Sequence, residues 1–334
     1  MRILTDIIGA TLAFGAPLLI VALGGMFSER SGVINIALEG IMVIGALAGC
    51  LLLRFFDNWI LATGLSFGAS YPQLATTLAV LMAGLCGVIY SMLLAFASIN
   101  LKADQTIGGT ALNMLAPALA LVLTWQIQGH GNTFILIPTW TRLNSAAVGL
   151  TNINPIVDNL VFKNLFITTP IILILFIAAY VVLYKTKLGL RLSACGEHPQ
   201  AADSLGINVY KMRYIGVAIS GCFAGIGGLA YTFTAGSGFL ATVSGYGFLA
   251  LAVMIFGNWK PLNILGASIF FAMFKIISSY AASIPFLPKF ETIRTSEYIY
   301  LMLPYIVTMI ILVLTSKNSR APKAEGIPYD KGKR

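Results

Sequence analysis

The chain has 334 residues and a formal net charge of +9; 58% of its residues are apolar and only 10% are charged. Soluble domains carry about 25% charged residues, so this composition excludes an ordinary soluble protein. The apolar runs are continuous over the roughly 20 residues that a helix needs to cross a bilayer, whereas transmembrane barrel strands alternate over about ten residues. The sequence therefore predicts an all-α polytopic membrane protein.

The positive charge is interpreted as a signal of membrane topology. Lys and Arg collect in the cytoplasmic loops of membrane proteins. Five basic residues lie in the loop 185–213 and six follow Ser316, but the long loop 128–164 carries only Arg142 and Lys163. We therefore expect the loop 185–213 and the C-terminus to face the cytoplasm and the loop 128–164 to face outside. A nucleic-acid partner is not expected.

The sequence lacks the patterns that carry common enzyme chemistry. Its four cysteines show no CxxC spacing, and it has only two histidines, so no metal site is predicted. It contains no GxxxxGK[ST], HExxH or GxSxG pattern, so the chain is not expected to hydrolyse ATP or to act as an enzyme. We expect it to bind no cofactor of its own.

About nine apolar spans (eight to ten) are predicted along the chain. They cover residues 7–25, 32–53, 75–98, 106–127, 165–184, 214–235, 237–256, 262–283 and 298–316. The chain is interpreted as one membrane domain, residues 1–316, followed by a basic cytoplasmic tail, residues 317–334. The tail is short and charged, and we expect it to be mobile.

The stretch SERSGVINIALEGIMVIGALAG (28–49) places polar residues in an apolar span. Glu29, Arg30, Asn35 and Glu39 interrupt it, and an ionisable group inside a membrane is costly. Asn35 and Glu39 are four residues apart, which puts them on one face of a helix. They predict either a broken helix that lines a translocation path or a structural pair that fixes helix packing.

Asn113, in the fourth span, is a candidate for a hydrogen bond between helices, with either a structural or a path-lining role. Small residues recur at four-residue spacing in GVAISGCFAGIGGLA (216–230). They are Gly216, Ser220, Ala224 and Gly228. Such a stripe lets another helix approach closely, so it predicts packing and not a binding site.

The polar stretch GLRLSACGEHPQAADSLGI (189–207) interrupts two apolar spans. Residues 198–206 are predicted to form a short helix, because Pro199 suits the first helical position and Gly206 suits a left-handed stop. Its apolar side is formed by Ala201, Ala202 and Leu205. A helix fixed between two spans can dock into a groove on a soluble partner and transmit motion to the membrane.

A further stretch, SGYGFLALAVMIFGNWKPLNILGASIF (244–270), favours discontinuous helices. Gly245 and Gly247 loosen the backbone, and Pro261 restarts a helix after a tight turn. Discontinuous helices often surround transport paths, although an ordinary hairpin between two spans is an equally good interpretation. Lys275 follows alone in an apolar segment, where it either snorkels or pairs with a carboxylate.

Three of these stretches, in order, resemble the permease subunits of ABC importers for branched-chain amino acids, ribose-type sugars and nucleosides. The stretch 189–207 is similar to the cytoplasmic coupling loop, with His198 where the family has Asn. The residues that fit the loop pattern are Gly189, Gly196, Ala201, Ala202, Gly206 and Ile207. ERSGVINIALEGIMVIGALAG (29–49) looks like the nucleoside (simple-sugar-like) permeases, and 245–270 is similar to a further family stretch.

This resemblance, over about residues 7–316, implies discontinuous helices around a central translocation path in a bacterial cytoplasmic membrane. It implies two permease subunits, most simply non-identical, on two separate ATPase subunits that hold ATP and Mg, and an extracytoplasmic lipoprotein that delivers a nucleoside. The implied coupling residues are Gly196, Glu197, His198, Pro199, Ala201, Ala202, Leu205, Gly206 and Ile207. The candidates for the path are Asn35, Glu39, Asn113, Gly245 and Gly247.

Other functions remain open from the sequence. The same architecture also imports simple sugars or branched-chain amino acids. An ion-coupled secondary transporter would give Glu39 and Lys275 proton or ion roles. A membrane enzyme is disfavoured because no catalytic constellation is present, and a non-transporting scaffold is disfavoured by the polar residues inside spans.

Overall fold

A computed structural model of the chain describes residues 2–61, 64–129, 131–143, 165–236, 238–280 and 321–331, with seven more positions between 302 and 313. The described part is helical, as predicted. Its helices are α1 (Arg2–Arg30), α2 (Leu38–Asn58), α3 (Phe67–Ser70), α4 (Pro72–Ala95), α5 (Gln105–Gln128), α6 (Thr168–Lys185), α7 (Lys187–Glu197), α8 (Pro199–Ser204), α9 (Val209–Ala235), α10 (Tyr246–Phe256) and α11 (Pro261–Ser279). A π-helical turn, Phe96–Asn100, extends α4, and a 3-10 turn covers Thr139–Thr141.

Seven described helices are long and apolar enough to cross a membrane: α1, α2, α4 with its π-helical turn, α5, α6, α9 and α11. The predicted span 237–256 is not one continuous helix, because irregular chain leads into the 11-residue helix α10. At 1.5 Å per residue α10 is about 16 Å long, half of a hydrocarbon core of about 30 Å. More than half of the predicted span 298–316 lies outside the described residues, so the structure does not confirm a count of nine.

Helix α9 forms the centre of the bundle and packs against α1, α2 and α4. The predicted small-residue stripe makes this possible, since all four of its members are buried. A Cβ at Gly228 would collide with the main-chain carbonyl of Met42, and one at Gly225 would collide with that of Ala83. The backbones of α2 and α4 therefore approach α9 directly, which confirms the packing role predicted for the stripe.

The two ends of the bundle differ in their number of Lys and Arg residues, seven at one end and one at the other over the described segments named below. One end carries the turn after α1, the loop 100–104, the segment 185–208, the turn 257–260 and residues 321–331; it is called the basic face below. The opposite end carries residues 59–61, 64–71 and 131–143. There Ile135 pairs through its backbone with Phe239, at the start of the irregular chain that leads into α10.

The C-terminal tail departs from expectation over its described part. Residues 321–331 pack against the basic face, and Pro322, Ala324 and Tyr329 are buried. The expectation of a mobile tail is therefore wrong for these residues. The prediction rested on the charged residues of the tail. It did not allow for the few small and aromatic side chains that pack against the rest of the chain.

Candidate translocation site and coupling surface

Glu39 brings together two stretches that the sequence analysis singled out. Its carboxylate accepts hydrogen bonds from the amides of Gly245, at 2.7 Å, and Gly247, at 2.6 Å, and also from the amide of Phe248. The first amides of a helix have no partner within the helix and carry a partial positive charge. Glu39 therefore supplies from α2 the acceptor that the buried start of α10 needs.

The two glycines have separate reasons to be at this junction. Gly245 adopts a left-handed conformation, with φ +79°, directly before α10. A Cβ on Gly247 would lie 2.5 Å from the Cα of Glu39 and 2.8 Å from its Oε2. A side chain at position 245 would strain the left-handed backbone, and one at position 247 would push the start of α10 away from the carboxylate, so both predicted path residues are parts of this joint.

Asn113 of α5 holds the start of α2 from the other side. Its Oδ1 accepts from the amide of Gly40 and its Nδ2 donates to the carbonyl of Ile36, each at 2.8 Å. Asn113 is eight residues beyond Gln105, the first residue of α5, which corresponds to a depth of about 12 Å. Glu39 therefore lies well inside the membrane-spanning region, and Asn113 satisfies a broken backbone there.

Asn35 does not share a helix face with Glu39, contrary to expectation. Residues 33–35 are extended, and α2 begins only at Leu38. Gly32, at φ +93°, turns the chain out of α1 into this extended run. Asn35 is fully buried and donates from Nδ2 to Ser220 Oγ of α9 at 2.8 Å; its Oδ1 has no hydrogen-bond partner among the described residues.

Aromatic side chains that sequence reasoning missed surround the joint. The rings of Tyr231 and Tyr246 have centroids 4.5 Å apart, and Phe14 lies 6.4 Å from each. Tyr246 donates from its hydroxyl to the carbonyl of Phe14 at 2.8 Å. Aromatic residues are common in apolar spans, so no local signal distinguished these three.

The predicted path residues do not border the apolar cavity of this region. That cavity has a volume of about 240 Å³ and lies between α1, α6 and α11, lined by residues such as Leu12, Leu173 and Ile269. The path candidates instead form a packed joint.

On the basic face, the end of α1 forms hydrogen bonds with the turn between α10 and α11. Trp259 donates from Nε1 to Glu29 Oε2 at 2.6 Å. Its carbonyl accepts from Arg30 Nη2 at 2.7 Å and from Arg30 Nε at 3.1 Å. The sequence analysis identified these polar residues and the tight turn, but not their pairing. Helix α10 is thus held by α2 at its start and by α1 beyond its end.

The predicted coupling helix is present as α8. Pro199 is its first residue, and Gly206, at φ +79°, follows its end as expected. The side chain of His198 makes no capping hydrogen bond, so the first amides of α8 lack the acceptor that Asn can supply. Gly196 lies so close to α1 that a Cβ would collide with the carbonyl of Arg30.

The predicted coupling residues divide into an outer and an inner set. Glu197, His198, Ala201, Leu205 and Gly206 are exposed, whereas Gly196, Pro199 and Ala202 are buried and Ile207 is half-buried. Leu205 is 81% exposed. Beside it lies a polar groove of about 480 Å³ between the loop and the C-terminal segment. Its lining residues are Asp203, Ser204, Gly206, Ile207, Asn208, Val209, Tyr210 and Lys331.

Comparison with known proteins identifies the family of the chain. Residues 7–314 match the family described as branched-chain amino acid transport system / permease component. The chain is 41% identical to the guanosine ABC transporter permease protein NupQ of Bacillus subtilis, over 100% of this chain and 99% of that protein. It is 37% identical to the nucleoside ABC transporter permease protein NupC of Lactococcus lactis, over 98% and 97% of the two chains.

A more distant relative, at 29% identity over 81% of this chain and 76% of that protein, is the putative glucose ABC transporter permease protein TsgC13 of Haloferax volcanii. No solved structure matches the chain. The resemblance drawn from the sequence motifs is confirmed over nearly the whole length, and the chain belongs to the family of branched-chain amino acid transport system permease components.

Proposed function

We propose that this chain is a membrane-spanning permease subunit of an ABC importer for nucleosides. The observation that carries this proposal is the full-length similarity to two permeases named for guanosine and for nucleosides. The chain moves its substrate and catalyses no reaction. ATP and Mg belong on a separate ATPase subunit.

The polar joint around Glu39 is the proposed centre of the path, together with Asn35, Asn113, Gly245 and Gly247. Support comes from the position of these residues, all of them buried or half-buried, and from the half-length helix α10, since transporters place substrate sites where discontinuous helices meet. The aromatic rings of Tyr231 and Tyr246 offer a stacking surface for a nucleobase beside a carboxylate that accepts hydrogen bonds. Separation of α2 from α10 would expose both the two tyrosine rings and the carboxylate of Glu39.

The coupling loop is proposed to receive the motion of the ATPase. The exposed side chain of Leu205 and the adjacent groove face away from the bundle, where a soluble partner can reach them. From α8 a continuous chain of contacts runs through Gly196 to Arg30, and from there to Trp259. The basic face is proposed to lie in the cytoplasm, which the positive-inside rule supports.

The remaining partners follow from the family. We propose a second, non-identical permease subunit and an extracytoplasmic binding lipoprotein. Lactococcus lactis, the source of NupC, also has the nucleoside ABC transporter permease protein NupB, which is 25% identical to this chain. Two such permeases in one organism fit a heterodimer.

The test is uptake of labelled guanosine, uridine and adenosine by cells that lack this chain and by cells in which it is restored. Ribose and leucine are added in excess as competitors. Restored nucleoside uptake that neither competitor reduces would establish the class of substrate. Restored uptake of ribose or leucine alone would keep the permease and refute the nucleoside.

A sugar is the weaker candidate substrate, because the putative glucose permease TsgC13 is 29% identical to this chain, against 41% for NupQ and 37% for NupC. An ion-coupled mechanism has weaker support. Glu39 is engaged by backbone amides, and Lys275 forms no ion pair in the described part of the chain. Uptake that persists after loss of the ATPase would support the ion-coupled mechanism.

A further inference from the structure

Part of the C-terminal segment, residues 324–329, is anchored to the coupling loop. The amide of Ala324 donates to the carbonyl of Gly196 at 2.8 Å. The ring of Tyr329 is 95% buried and lies in a separate small apolar cluster on the basic face. The other buried members of this cluster are Cys195, Ala202, Val209 and Met212. Ala202 belongs to α8, so the segment packs directly under the coupling helix.

The same segment also reaches the inner end of the proposed path. A hydrogen bond joins the carboxyl groups of Glu325 and Glu29, which requires a proton on one of them. Glu29 is 4% exposed and also binds Trp259, in the turn between α10 and α11. Gly326 lies under the extended run before α2, where an added Cβ would be 2.8 Å from Cδ1 of Ile34.

A buried cation depends on this segment. The side chain of Arg213, at the start of α9, is 1% exposed and donates from Nη1 to the carbonyl of Ile327 at 3.0 Å. Its Nε and Nη2 have no acceptor among the described residues. Burying a guanidinium without a hydrogen-bond acceptor costs folding free energy. Loss of the hydrogen bond from Arg213 to the carbonyl of Ile327 would therefore destabilise the start of α9.

We propose that residues 324–329 form a clamp that positions the coupling loop on the inner end of the translocation path, with Glu325 as its positioning residue. This inference rests on the proposed function, because the loop has a task only if an ATPase moves it. The clamp gives α8 a second connection to Trp259, through Glu325 and Glu29, beside the direct contact of Gly196 with Arg30. Glu325 acts through Glu29 and touches no substrate.

The test compares Glu325→Ala and Glu325→Gln in the full chain. Amide hydrogen exchange is first measured on the purified wild-type and variant chains without any substrate. Since a hydrogen bond to a buried carboxyl is lost, Glu325→Ala should speed exchange in residues 324–329 and in the coupling loop by about tenfold. Glu325→Gln should exchange like the wild type, because its amide can donate to Glu29. Lys323→Ala, at an exposed neighbouring position, is the matched control.

The second measurement is guanosine uptake per ATP hydrolysed in proteoliposomes that contain the complete transporter. Glu325→Ala should lower this ratio by about tenfold at equal protein abundance, and Glu325→Gln should restore most of it. Unchanged exchange and an unchanged ratio in Glu325→Ala would overturn the clamp, as would equal damage in both variants. If the wild-type transporter takes up no nucleoside while the exchange difference is present, the substrate proposal fails and the clamp stands.

Discussion

At the scale of single residues, the sequence identified Glu39 as unusual but could not identify its partners. An ionisable residue within a span is a local signal, whereas Gly245 lies 206 positions further along the chain. Asn35 was assigned to a helix face because Asn35 and Glu39 have helical spacing. Gly32, the hydrogen bond that Asn35 donates to Ser220 and the one that Asn113 donates to Ile36 keep that stretch out of helix α2 instead. Tertiary partners decided between helix and extended chain.

The replacement Glu39→Gln is predicted to impair transport while leaving the chain inserted in the membrane. The carboxylate accepts from two amides with different oxygens, whereas a Gln side chain has only one acceptor and directs its NH₂ at the other donor. Charge-assisted hydrogen bonds contribute about 1.5–3 kcal/mol each, so uptake should fall at least about tenfold. The measurement is nucleoside uptake at matched expression, with copurification of the ATPase as the control. Uptake at the wild-type level would make Glu39 dispensable for the path.

Burial raises the pKa of Glu325 from its usual 4.5 to about 7, and the hydrogen bond with Glu29 partly opposes this shift. Between these two values the folded protein binds more protons than the unfolded one, so stability falls as pH rises from about 4.5 to about 7. Two arginines on these packed elements have partners of their own: Arg30 binds the carbonyl of Trp259, and Arg213 binds that of Ile327.

Glu325→Gln should therefore remove part of the pH dependence of stability. The measurement is the thermal unfolding midpoint of the wild type and of Glu325→Gln from pH 5 to pH 8. The wild type should lose stability relative to the variant as pH rises, because the carboxyl of Glu325, which the variant lacks, must give up its proton. Parallel curves for the two proteins would contradict this assignment.

At the scale of elements, the residues that begin and end a helix were predictable from the sequence. The packing of the helices against one another was not. Helix α8 was predicted because Pro199 and Gly206 mark its ends within a polar stretch. The half-length of α10 was not predicted, because residues 237–256 have the composition of a full span. The sequence did not predict the packing of residues 321–331, because this packing depends on surfaces of α1, α7 and α9 that are remote in sequence.

The exposed side of α8 predicts different effects for two residues that the sequence treated alike. Leu205 is 81% exposed, so Leu205→Asp should leave the fold intact and reduce binding of the ATPase by placing a charge in an apolar contact. Ile207 is half-buried against the cluster that contains Tyr329, so Ile207→Asp should instead destabilise the basic face. The measurements are copurification of the ATPase and the unfolding midpoint of each variant. Full ATPase binding by Leu205→Asp would exclude α8 as the docking element.

The packing of α9 predicts a strong effect for a single methyl group. Gly228→Ala places a Cβ against the carbonyl of Met42, and it should lower the unfolding free energy by about 1–3 kcal/mol through overpacking. Gly266→Ala in α11 is the matched control, because a Cβ there meets nothing within 4 Å among the described atoms. The measurement is thermal unfolding of both variants in the same membrane mimetic. Equal midpoints would show that α2 and α9 can separate at no cost.

At the scale of the whole molecule, the contacts connect the exposed coupling helix to the interior. Helix α8 follows directly after α7, whose residue Gly196 contacts the end of α1, and the end of α1 holds Trp259 beyond the end of α10. The start of α10 is held by Glu39, so a displacement at the basic face can reach the middle of the bundle along one short helix. Packed elements move between discrete arrangements. We therefore expect α10 to be the helix that changes position when the basic face is displaced.

The proposed assembly predicts that two copies of this chain do not pair with each other. The test expresses two differently tagged copies together with the ATPase and the second permease, then isolates the complex through one tag. The ATPase and the second permease should be recovered, and the other tagged copy should be absent, because a heterodimer holds one copy. A heterodimer needs complementary and not identical surfaces at its interface, whereas a twofold homodimer brings the same patch of both copies together. Recovery of both tags in one complex would establish a homodimer and remove the need for a second permease.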